Sequence, residues 1–472
     1  MELKDKLVLV LGLGESGLAC ALWCLRQRAR VRVADTRAAP PYLAELDRRA
    51  ASADFRFEFR AGEFAPELLA GVDLVVLSPG LPGNLPVVGE ARRQGVAVVG
   101  EIELFAWGLQ SRDADPRPPV IAITGTNGKT TTTALTGHLL GATGKRVGVA
   151  GNISPAALTA LMDAGDAQSL PQIWVLELSS FQLETVRTLY PAAATVLNIS
   201  DDHLDRYAGV DEYARAKTAI FQSRPGAPGV QVLNRDDARV RRMALAGHHI
   251  ISFGLDAPVG AEDFGIRQNR GAPWLVQGER FLLPLAELPL AGLHNAANAM
   301  AALALCAALG FDANALLPAL RRFRGLPHRV EKVAEIDGVT WYDDSKGTNV
   351  GATVAALSGL GGINDRKCVV ILGGDGKSQN FSPLRDAVAR HARAAVLIGR
   401  DGSLIGQAIA GCGVTIEAAA DMDDAVRRTA ALARAGDAAL LSPACASFDM
   451  FRNYEQRAQV FIAAVNALRG SR

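Results

Sequence analysis

Residues 120–133 read VIAITGTNGKTTTT, and this stretch decides how the rest of the chain is interpreted. Four apolar and mostly β-branched residues, Val120 to Ile123, are typical of a buried strand. A glycine-containing turn follows, and Lys129 and Thr130 begin a helix. The first amide groups of a helix have no intrahelical partner, so this turn predicts a cradle for phosphate. Lys129 is placed to reach the outer phosphates and Thr130 to meet Mg²⁺.

The spacing of this turn differs from that of the usual nucleotide-binding loop. The usual pattern is GxxxxGK[ST], but the position five before Gly128 is Ile123, and Gly125 gives the shorter form GxxGKT. The alternative is an ordinary strand–turn–helix corner with a solvated lysine. Glycine, lysine and threonine all fall where phosphate chemistry needs them, which favours a phosphate loop. The predicted loop comprises Gly125, Thr126, Asn127, Gly128, Lys129, Thr130 and Thr131.

Length and composition limit the class of protein. With 472 residues, 49% of them hydrophobic and 21% charged, the chain is expected to form about three globular domains. The formal net charge of +1 gives no basic field for a nucleic-acid partner. The cysteines form no CxxC pair, and no run of 18 apolar residues occurs, so we expect neither a disulfide framework nor insertion into a membrane. The charged N-terminus does not resemble a signal peptide, and a cytoplasmic location is expected.

The first hundred residues contain a second glycine-rich turn. A strand from Leu7 to Leu11 runs into residues 12–17, GLGESG, and a helix is expected from Leu18 to about Gln27. A GxGxxG turn after a strand, followed about 20 positions later by Asp35, is typical of a nucleotide site. The glycines could equally serve close packing, and the site need not take a nicotinamide cofactor. Other candidates at the ends of neighbouring strands are Thr36, Arg37, Ser78 and Gly80.

Polar residues in the middle segment are candidates for metal and base binding. Glu177 ends an apolar strand that should lie beside the phosphate-loop strand, where a carboxylate can meet Mg²⁺. His203 lies in a polar loop after another strand and is a candidate metal or phosphate ligand. Lys217 lies on a helix, and its spacing alone gives it no role. Asn295 and Asn298 share one face of a helix start, where they can cap the helix or contact a base.

The last segment begins after a boundary at residues 325–327, GLP. Its apolar strands end in turns rich in glycine, serine and lysine, as ligand sites do in parallel sheets. Lys346 and Lys377 lie in such turns next to hydroxyl groups, which suits an anionic small molecule. The alternative is that both are solvated loop lysines.

Several motifs, in this order, resemble those of the Mur ligases, ATP-dependent amide ligases of peptidoglycan precursor synthesis. They are TGTNGKTTT, ELSSFQLE, NISDDHLDR, YARAKTAIF, GLHNAANAMAA, GLPHRVE, DDSKGTN, LGGDGK and LSPACASFD. The resemblance covers nearly the whole chain and implies an α/β fold of three domains. Residues 1–100 would be a Rossmann-like domain that binds a UDP sugar. Residues 101–325 would be a P-loop ATPase-like domain with a mostly parallel sheet, and residues 326–472 a Rossmann-like α/β domain that binds the amino acid.

The resemblance also implies roles for individual residues. It makes Lys129, His203, Lys217 and Arg329 catalytic. Besides the phosphate loop, it implies that ATP is bound by Asn295, Asn298, Arg329 and Asp344. Two Mg²⁺ ions would be held by Thr130, Glu177, His203 and Lys217, the last carbamylated by CO₂. The UDP substrate would contact Gly14, Glu15, Ser16, Asp35, Thr36, Arg37, Ser78, Gly80 and Asn152. The amino acid would contact Lys346, Thr348, Lys377, Ser447 and Tyr454.

The C-terminal motifs are closer to the branch that adds D-glutamate to UDP-N-acetylmuramoyl-L-alanine. The implied reaction passes through an acyl phosphate and a tetrahedral intermediate, catalysed by an enzyme expected to be a monomer. One alternative is a related ligase that adds L-alanine or a diamino acid. A folylpolyglutamate synthase, which adds glutamate to folate, belongs to the same alternative. A nicotinamide oxidoreductase built on residues 12–17 is a second alternative, and an ATP-binding module without chemistry is a third.

Overall fold

The computed structural model describes residues 2–110, 117–202, 206–224, 226–290, 292–361 and 366–470. Within these residues the strands form three sheets, which follow one another along the chain. The strands that carry the predicted site residues are mostly parallel, and their apolar side chains are buried under helices. The three-domain α/β fold expected from the sequence is therefore confirmed.

The N-terminal sheet has a Rossmann-like strand order. Its elements, in chain order, are β1 (Leu7–Leu11), α1 (Glu15–Arg26), β2 (Arg30–Asp35), α2 (Leu43–Ser52), β3 (Phe57–Ala61), β4 (Leu74–Leu77), α3 (Pro86–Arg93), β5 (Ala97–Val99) and α4 (Glu101–Gln110). The strands lie in the order β3-β2-β1-β4-β5, and neighbouring strands are parallel. The carboxyl end of β1, where the GLGESG turn begins, therefore lies between β2 and β4.

Helix α1 begins three residues earlier than the sequence pattern predicts. Gly14 is extended and precedes the helix, so Glu15 and Ser16 form its first turn. Gly17 lies inside the helix, and a Cβ atom there would lie 2.0 Å from the carbonyl oxygen of Gly12. The glycine therefore lets α1 pack directly against the preceding turn, and it does not mark the start of the helix.

The central sheet places the phosphate-loop strand in its middle. Its elements are β6 (Val120–Thr124), α5 (Lys129–Gly141), β7 (Val147–Gly151), α6 (Ala157–Asp166), β8 (Ile173–Glu177), α7 (Ser180–Leu183), β9 (Ala193–Val196), α8 (Val210–Thr218), β10 (Val230–Asn234), α9 (Ala238–Arg241), β11 (Ile250–Phe253), β12 (Phe264–Asn269), β13 (Ala272–Gln277), β14 (Arg280–Pro284), α10 (Leu293–Ala308) and α11 (Ala313–Arg322). The order is β14-β13-β12-β11-β10-β9-β6-β8-β7. As predicted, β8 and its terminal Glu177 lie beside β6. Strands β12, β13 and β14 form an antiparallel extension that the sequence analysis did not locate.

The C-terminal sheet brings three predicted loops together. Its elements are β15 (Glu331–Ile336), β16 (Val339–Asp343), α12 (Val350–Gly361), β17 (Cys368–Gly373), α13 (Leu384–His391), β18 (Ala392–Ile398), α14 (Gly402–Ala408), β19 (Thr415–Ala418), α15 (Met422–Leu432), β20 (Ala438–Leu441) and α16 (Tyr454–Gly470). The order is β15-β16-β20-β17-β18-β19, parallel except at β15. Because β16, β20 and β17 are parallel neighbours, the loops after them meet at one edge of the sheet.

The N-terminal and central domains share one hydrophobic core, whereas the C-terminal domain has its own. Val10 and Trp23 of the first domain belong to the same buried cluster as Trp174 and Leu176 of the second. The buried clusters of the C-terminal domain are separate. The first two domains therefore form a continuous unit, and the third domain has buried clusters of its own.

Candidate active site

Glycine is required at both ends of the phosphate loop. Gly128 precedes α5 in a left-handed conformation, with φ +82°, and a Cβ atom there would lie 2.3 Å from Oδ1 of Asn298. Gly125 has φ +152°, and its Cβ atom would lie 3.0 Å from that of Leu197. A side chain at either position would strain the turn. Glycine at these two positions therefore lets the turn lead into α5, whose first amides have no intrahelical partner and can face a phosphate.

The segment after β9 holds the phosphate loop in shape. The amide of Asn127 donates to Oδ1 of Asn198 at 2.8 Å, and Nδ2 of Asn198 donates back to the carbonyl of Asn127 at 3.0 Å. The amide of Thr126 donates to the carbonyl of Asn198 at 2.9 Å. These bonds fix the loop through backbone and amide groups of the chain itself.

Lys129 folds back onto its own loop. Its Nζ donates to the carbonyls of Gly125 and Thr126, both at 2.8 Å. Burial lowers the pKa of Lys129, and the charge of Glu177 offsets part of that shift. A triphosphate entering the loop offers this ammonium group charged acceptors in place of carbonyl oxygens.

Glu177 presents a carboxylate oxygen that fits a cation. The residue is 2% exposed, and its Oε1 accepts a hydrogen bond from Nδ2 of Asn152 at 2.9 Å. Its Oε2 is buried and has no hydrogen-bond partner within the described residues. A buried carboxylate oxygen is costly unless it is paired or binds a metal. A carboxylate oxygen is a ligand of the kind that Mg²⁺ prefers, and Thr130, another predicted ligand, lies in the first turn of α5.

Lys217 is a buried amine beside the same loop. It is 1% exposed, its Nζ donates to Oγ1 of Thr124 at 3.1 Å, and this nitrogen lies 4.6 Å from the centre of the Tyr213 ring. Burial, and next the positive charge of Lys129, lower the pKa of Lys217 well below its ordinary value. The sequence pattern gave this lysine no role, whereas the structure places a readily deprotonated amine at the centre of the site.

The C-terminal domain reaches the phosphate loop through two polar contacts. Nη2 of Arg329 donates to Oγ1 of Thr130 at 2.9 Å. Nδ2 of Asn349 donates to Oδ1 of Asn127 at 3.3 Å. Arg329 therefore brings a positive charge to the start of α5, where the sequence predicts the ATP phosphates. Its role in the chemistry remains a prediction.

Asn295 and Asn298 lie behind the phosphate loop, in the first two turns of α10. Helix α10 starts after Gly292, and both asparagines are buried where α10 packs against α5. Nδ2 of Asn298 donates to Oδ1 of Asn295 at 3.1 Å, and Oδ1 of Asn298 accepts from Thr132 at 3.3 Å. The described contacts of Asn298 are with Asn295 and Thr132. Capping of the helix and contact with an adenine base both remain predictions.

Two neighbouring aspartates, the last residue of β16 and the one after it, lie in different environments. Oδ2 of Asp344 accepts a hydrogen bond from Ser442 at 2.6 Å, and burial raises the pKa of Asp344 to about 7. Oδ2 of Asp343 is paired with Nδ1 of His328 at 2.7 Å. His328, Asp343 and Glu331 have ligand atoms within 4.8 Å of one another, but the first two already bond each other. We therefore do not assign this cluster to Mg²⁺.

The residues predicted to bind the amino acid lie on converging loops. Nζ of Lys346 lies 3.7 Å from the centre of the Tyr454 ring. Lys377 is exposed, and its Nζ lies 5.9 Å from the centre of the Phe448 ring, next to buried Ser447. Backbone hydrogen bonds join Asp375 to Ala446, and Ala444 to Gly347. The loops after β16, β17 and β20 are therefore connected to one another. Thr348 is half-buried in the first of these loops.

Arg457 joins two of these loops, and the sequence analysis missed it. Its Nε and Nη2 donate to the hydroxyl and the carbonyl of Ser345 at 3.0 and 2.8 Å, and its Nη1 donates to the carbonyl of Cys445 at 3.1 Å. The residue is 1% exposed. Its spacing from the buried residues Phe461 and Val465 on α16 places it on the inner face of the helix, a signal that was available in the sequence.

In the N-terminal domain, two predicted substrate residues also shape the glycine-rich turn. The Asp35 carboxylate accepts bonds from the amide of Leu13 at 2.8 Å and from the guanidinium of Arg37 at 2.8 Å. The hydrogen bond from Arg37 lowers the pKa of Asp35 to about 2. The Ser78 hydroxyl donates to the carbonyl of Gly12 at 2.9 Å. Thr36, Arg37 and Gly80 are exposed at the mouth of this turn.

The remaining predicted residues have mixed outcomes. His203 lies outside the described residues. Asn152 lies beside Glu177, as noted above. Glu15 and Ser16 bond to groups at the junction with the central domain, which are Ser154 and Glu101, respectively. Their contacts with a substrate remain predictions.

Comparison with known proteins settles the family. Residues 6–100 match the Mur ligase MurD-like N-terminal domain, residues 123–306 the Mur ligase middle domain, and residues 328–445 the Mur ligase glutamate ligase domain. A protein of Aromatoleum aromaticum named UDP-N-acetylmuramoylalanine--D-glutamate ligase is 57% identical over 99% of this chain and 98% of its own length. The chain belongs to the Mur ligase family. A protein of the same name from Nitrosospira multiformis is 53% identical over 100% of the chain and 98% of its own length.

Solved Mur ligases share the fold at low sequence identity. MurF from Acinetobacter baumannii superposes with a TM-score of 0.59 at 20% identity, covering 97% of this chain and 91% of its own. UDP-N-acetylmuramate-alanine ligase MurC from Thermotoga maritima gives 0.58 at 18% identity, covering 99% and 100%. In the described part of this family member, every helix is too short or too polar to cross a bilayer.

The buried carboxyl of Asp344 predicts a pH dependence of stability. Its pKa rises from 3.8 to about 7 on folding, so the ionised form is disfavoured in the folded state only. Asp344 therefore lowers the free energy of unfolding as the pH rises from about 4 to about 7. Asp344→Asn, whose amide is never ionised, should gain thermal stability relative to wild type between about pH 5 and about pH 8. Differential scanning fluorimetry at both pH values measures the gain.

The matched control is Asp386→Asn, an exposed carboxylate on α13 of the same domain. It should keep a constant difference from wild type at both pH values. An equally constant difference for Asp344→Asn would contradict the assigned environment.

Proposed function

We propose that this Mur ligase joins D-glutamate to UDP-N-acetylmuramoyl-L-alanine at the expense of ATP, in peptidoglycan precursor synthesis. The observation that carries the reaction type is the convergence of three groups at the phosphate loop. These are the Glu177 oxygen that has no hydrogen-bond partner among the described residues, the buried amine of Lys217 and the guanidinium of Arg329. The identity of the substrates is supported by the name that close full-length relatives carry.

The proposed reaction activates a carboxylate, which does not form an amide unaided. An oxygen of the substrate carboxylate forms a bond to the γ-phosphorus of ATP, and ADP leaves. The amine of D-glutamate then attacks the carbonyl carbon of the acyl phosphate and gives a tetrahedral intermediate. This intermediate loses phosphate, and the nitrogen loses a proton. Lys129 and Arg329 would stabilise the charge of the transferred phosphoryl group.

Mg²⁺ fits the donor set at the end of β8. Glu177 and Thr130, with the predicted ligands Lys217 and His203, would hold two ions. When bound, Mg²⁺ offsets the negative charge of the phosphate oxygens. Thr130 already accepts a hydrogen bond from Arg329, so this hydroxyl is oriented at the start of α5.

Lys217 is proposed to react with CO₂ and become a carbamate. The reaction needs a neutral amine, which attacks carbon and releases one proton. Burial and the charge of Lys129 favour that neutral form. The product is an anion in place of a buried amine, and it suits a neighbouring cation better than the unmodified lysine does.

The three domains divide the substrates between them in this proposal. The UDP moiety occupies the turn after β1, with Gly14, Asp35, Thr36, Arg37, Ser78 and Gly80, and its alanine end reaches Asn152. The adenine lies near Asn295 and Asn298, and Asp344 meets the ribose. D-glutamate lies among Lys346, Thr348, Lys377, Ser447 and Tyr454, where two ammonium groups suit a dicarboxylate. We propose a monomer that works in the cytoplasm.

The direct test is phosphate release from ATP in the presence of UDP-N-acetylmuramoyl-L-alanine, with one amino acid added at a time. Release should depend on D-glutamate and stay at background with L-glutamate, L-alanine or a diamino acid. Lys129→Ala should lower the rate by at least about 100-fold, because the transferred charge loses a partner. Release that depends on another amino acid would assign the chain to a different Mur ligase reaction, and no release with any of them would refute the ligase.

The carbamate has its own test. After equilibration with ¹³C-labelled bicarbonate, the protein should give a carbamate carbonyl resonance that Lys217→Met lacks. Lys145→Met, which removes an exposed lysine, should keep the resonance. Lys217→Met should also lower phosphate release by at least about 100-fold. A fully active wild-type protein without the resonance would refute the modification.

A further inference from the structure

Two glutamates of the N-terminal half cap a helix of the central domain. Helix α6 begins at Ala157, and the residue before it, Ala156, has only a methyl side chain and cannot cap the first amides. Oε1 of Glu15 accepts from the amide of Ala156 at 3.2 Å. Oε1 of Glu101 accepts from the amide of Leu158 at 3.1 Å. The start of α6 is therefore stabilised by carboxylates that belong to α1 and α4.

The other oxygen of Glu101 holds the glycine-rich turn. Oε2 accepts from the hydroxyl of Ser16 at 3.0 Å, and the residue is 1% exposed. Burial raises the pKa of Glu101 to about 7, and its hydrogen bonds from Leu158 and Ser16 act in the opposite direction. One buried carboxyl group thus uses one oxygen for each of two helices, α1 and α6.

Helices α1 and α6 lie side by side and point the same way. Their starts meet at Glu15 and Ala156, and their ends meet at Arg26 and Asp166, which form two hydrogen bonds of 2.8 Å. Both positive helix ends therefore face the same region. The N-terminal end of α6 is occupied by the carboxylates of Glu15 and Glu101. The N-terminal end of α1 is where the proposed function locates the UDP moiety.

The loop before α6 connects this junction to the reaction centre. The amide and Nδ2 of Asn152 donate to the carbonyl and Oε1 of Glu177 at 2.8 and 2.9 Å. At the other end of the loop, Ser154 donates to the Glu15 carboxylate at 2.9 Å. A shift of α1 against α6 would consequently move the turn after β1 relative to Glu177.

We propose that Glu101 is a positioning residue for the UDP-linked substrate. By holding Ser16 of α1 against Leu158 of α6, it sets the distance between the glycine-rich turn and Glu177. The inference rests on the proposed function, because that function places the two ends of one substrate at these two points. A substrate of fixed covalent length needs that distance fixed, and small misplacements reduce rates strongly.

The decisive comparison is between Glu101→Met and Glu103→Met, which remove two carboxylates from the same helix at similar volume. Glu103 is also 1% exposed, and it accepts bonds from Trp107 and from the amides of Arg187 and Thr188. Both variants should melt at a lower temperature. Only Glu101→Met should raise the KM for UDP-N-acetylmuramoyl-L-alanine, by at least about tenfold, with the KM for ATP within about twofold of wild type.

Two further variants separate positioning from simple stability. Glu101→Gln keeps an oxygen for Leu158 and an amide group for the Ser16 oxygen, so its KM should stay within about threefold of wild type. Ser16→Ala should raise the KM. The double variant Ser16→Ala/Glu101→Met should have a KM no higher than that of Glu101→Met alone, because both changes remove the same hydrogen bond between Ser16 and Glu101. If Glu101→Met does not fold, Ser16→Ala and Glu101→Gln carry the comparison.

Each outcome decides the matter. Equal effects of Glu101→Met and Glu103→Met on the KM, additive effects of the Ser16 and Glu101 changes, or a normal KM in Ser16→Ala would each overturn the positioning role. Wild-type protein that releases no phosphate with both substrates would instead overturn the proposed function, and the inference with it.

Discussion

A buried amine beside the phosphate loop is the constraint on which the rest of the site depends. Lys217 is 1% exposed and donates to Thr124, with the charged Lys129 nearby, so loss of its proton is favoured. Glu177 contributes an equally buried carboxylate oxygen with no partner among the described residues. These groups are costly as they stand. In the proposed function the amine is converted to a carbamate, and both anions are then stabilised by Mg²⁺ at the triphosphate.

The division of the molecule follows from the length of the proposed substrate and the reactivity of its intermediate. The N-terminal and central domains share a core, so the two regions to which the proposed function assigns the ends of the UDP-linked substrate belong to one continuous unit. The C-terminal domain has separate clusters and touches the phosphate loop through Arg329 and Asn349. A domain with its own core can move as a unit, to admit substrates and then to exclude water from an acyl phosphate.

The sequence predicted the strands and the loops at their ends because continuous apolar runs such as 120–123 and 438–441 mark buried parallel strands. It did not predict the start of α1, since Gly17 looked like a turn residue and serves helix packing. It gave Lys217 no role, and it did not single out Glu101, because the environment of each is built by residues distant in sequence: Thr124 around the first, Ser16 and Leu158 around the second. Burial of this kind becomes visible only in the folded chain.

The most direct measurement of the central claim is the transfer of oxygen from substrate to phosphate. UDP-N-acetylmuramoyl-L-alanine labelled with ¹⁸O in its alanine carboxylate is turned over with ATP and D-glutamate, and the released phosphate is analysed by mass spectrometry. An acyl phosphate places one carboxylate oxygen between carbon and phosphorus, so the account predicts phosphate that carries one ¹⁸O atom. Unlabelled phosphate accompanying amide formation would contradict it, because the phosphoryl group would then never have been bonded to the substrate.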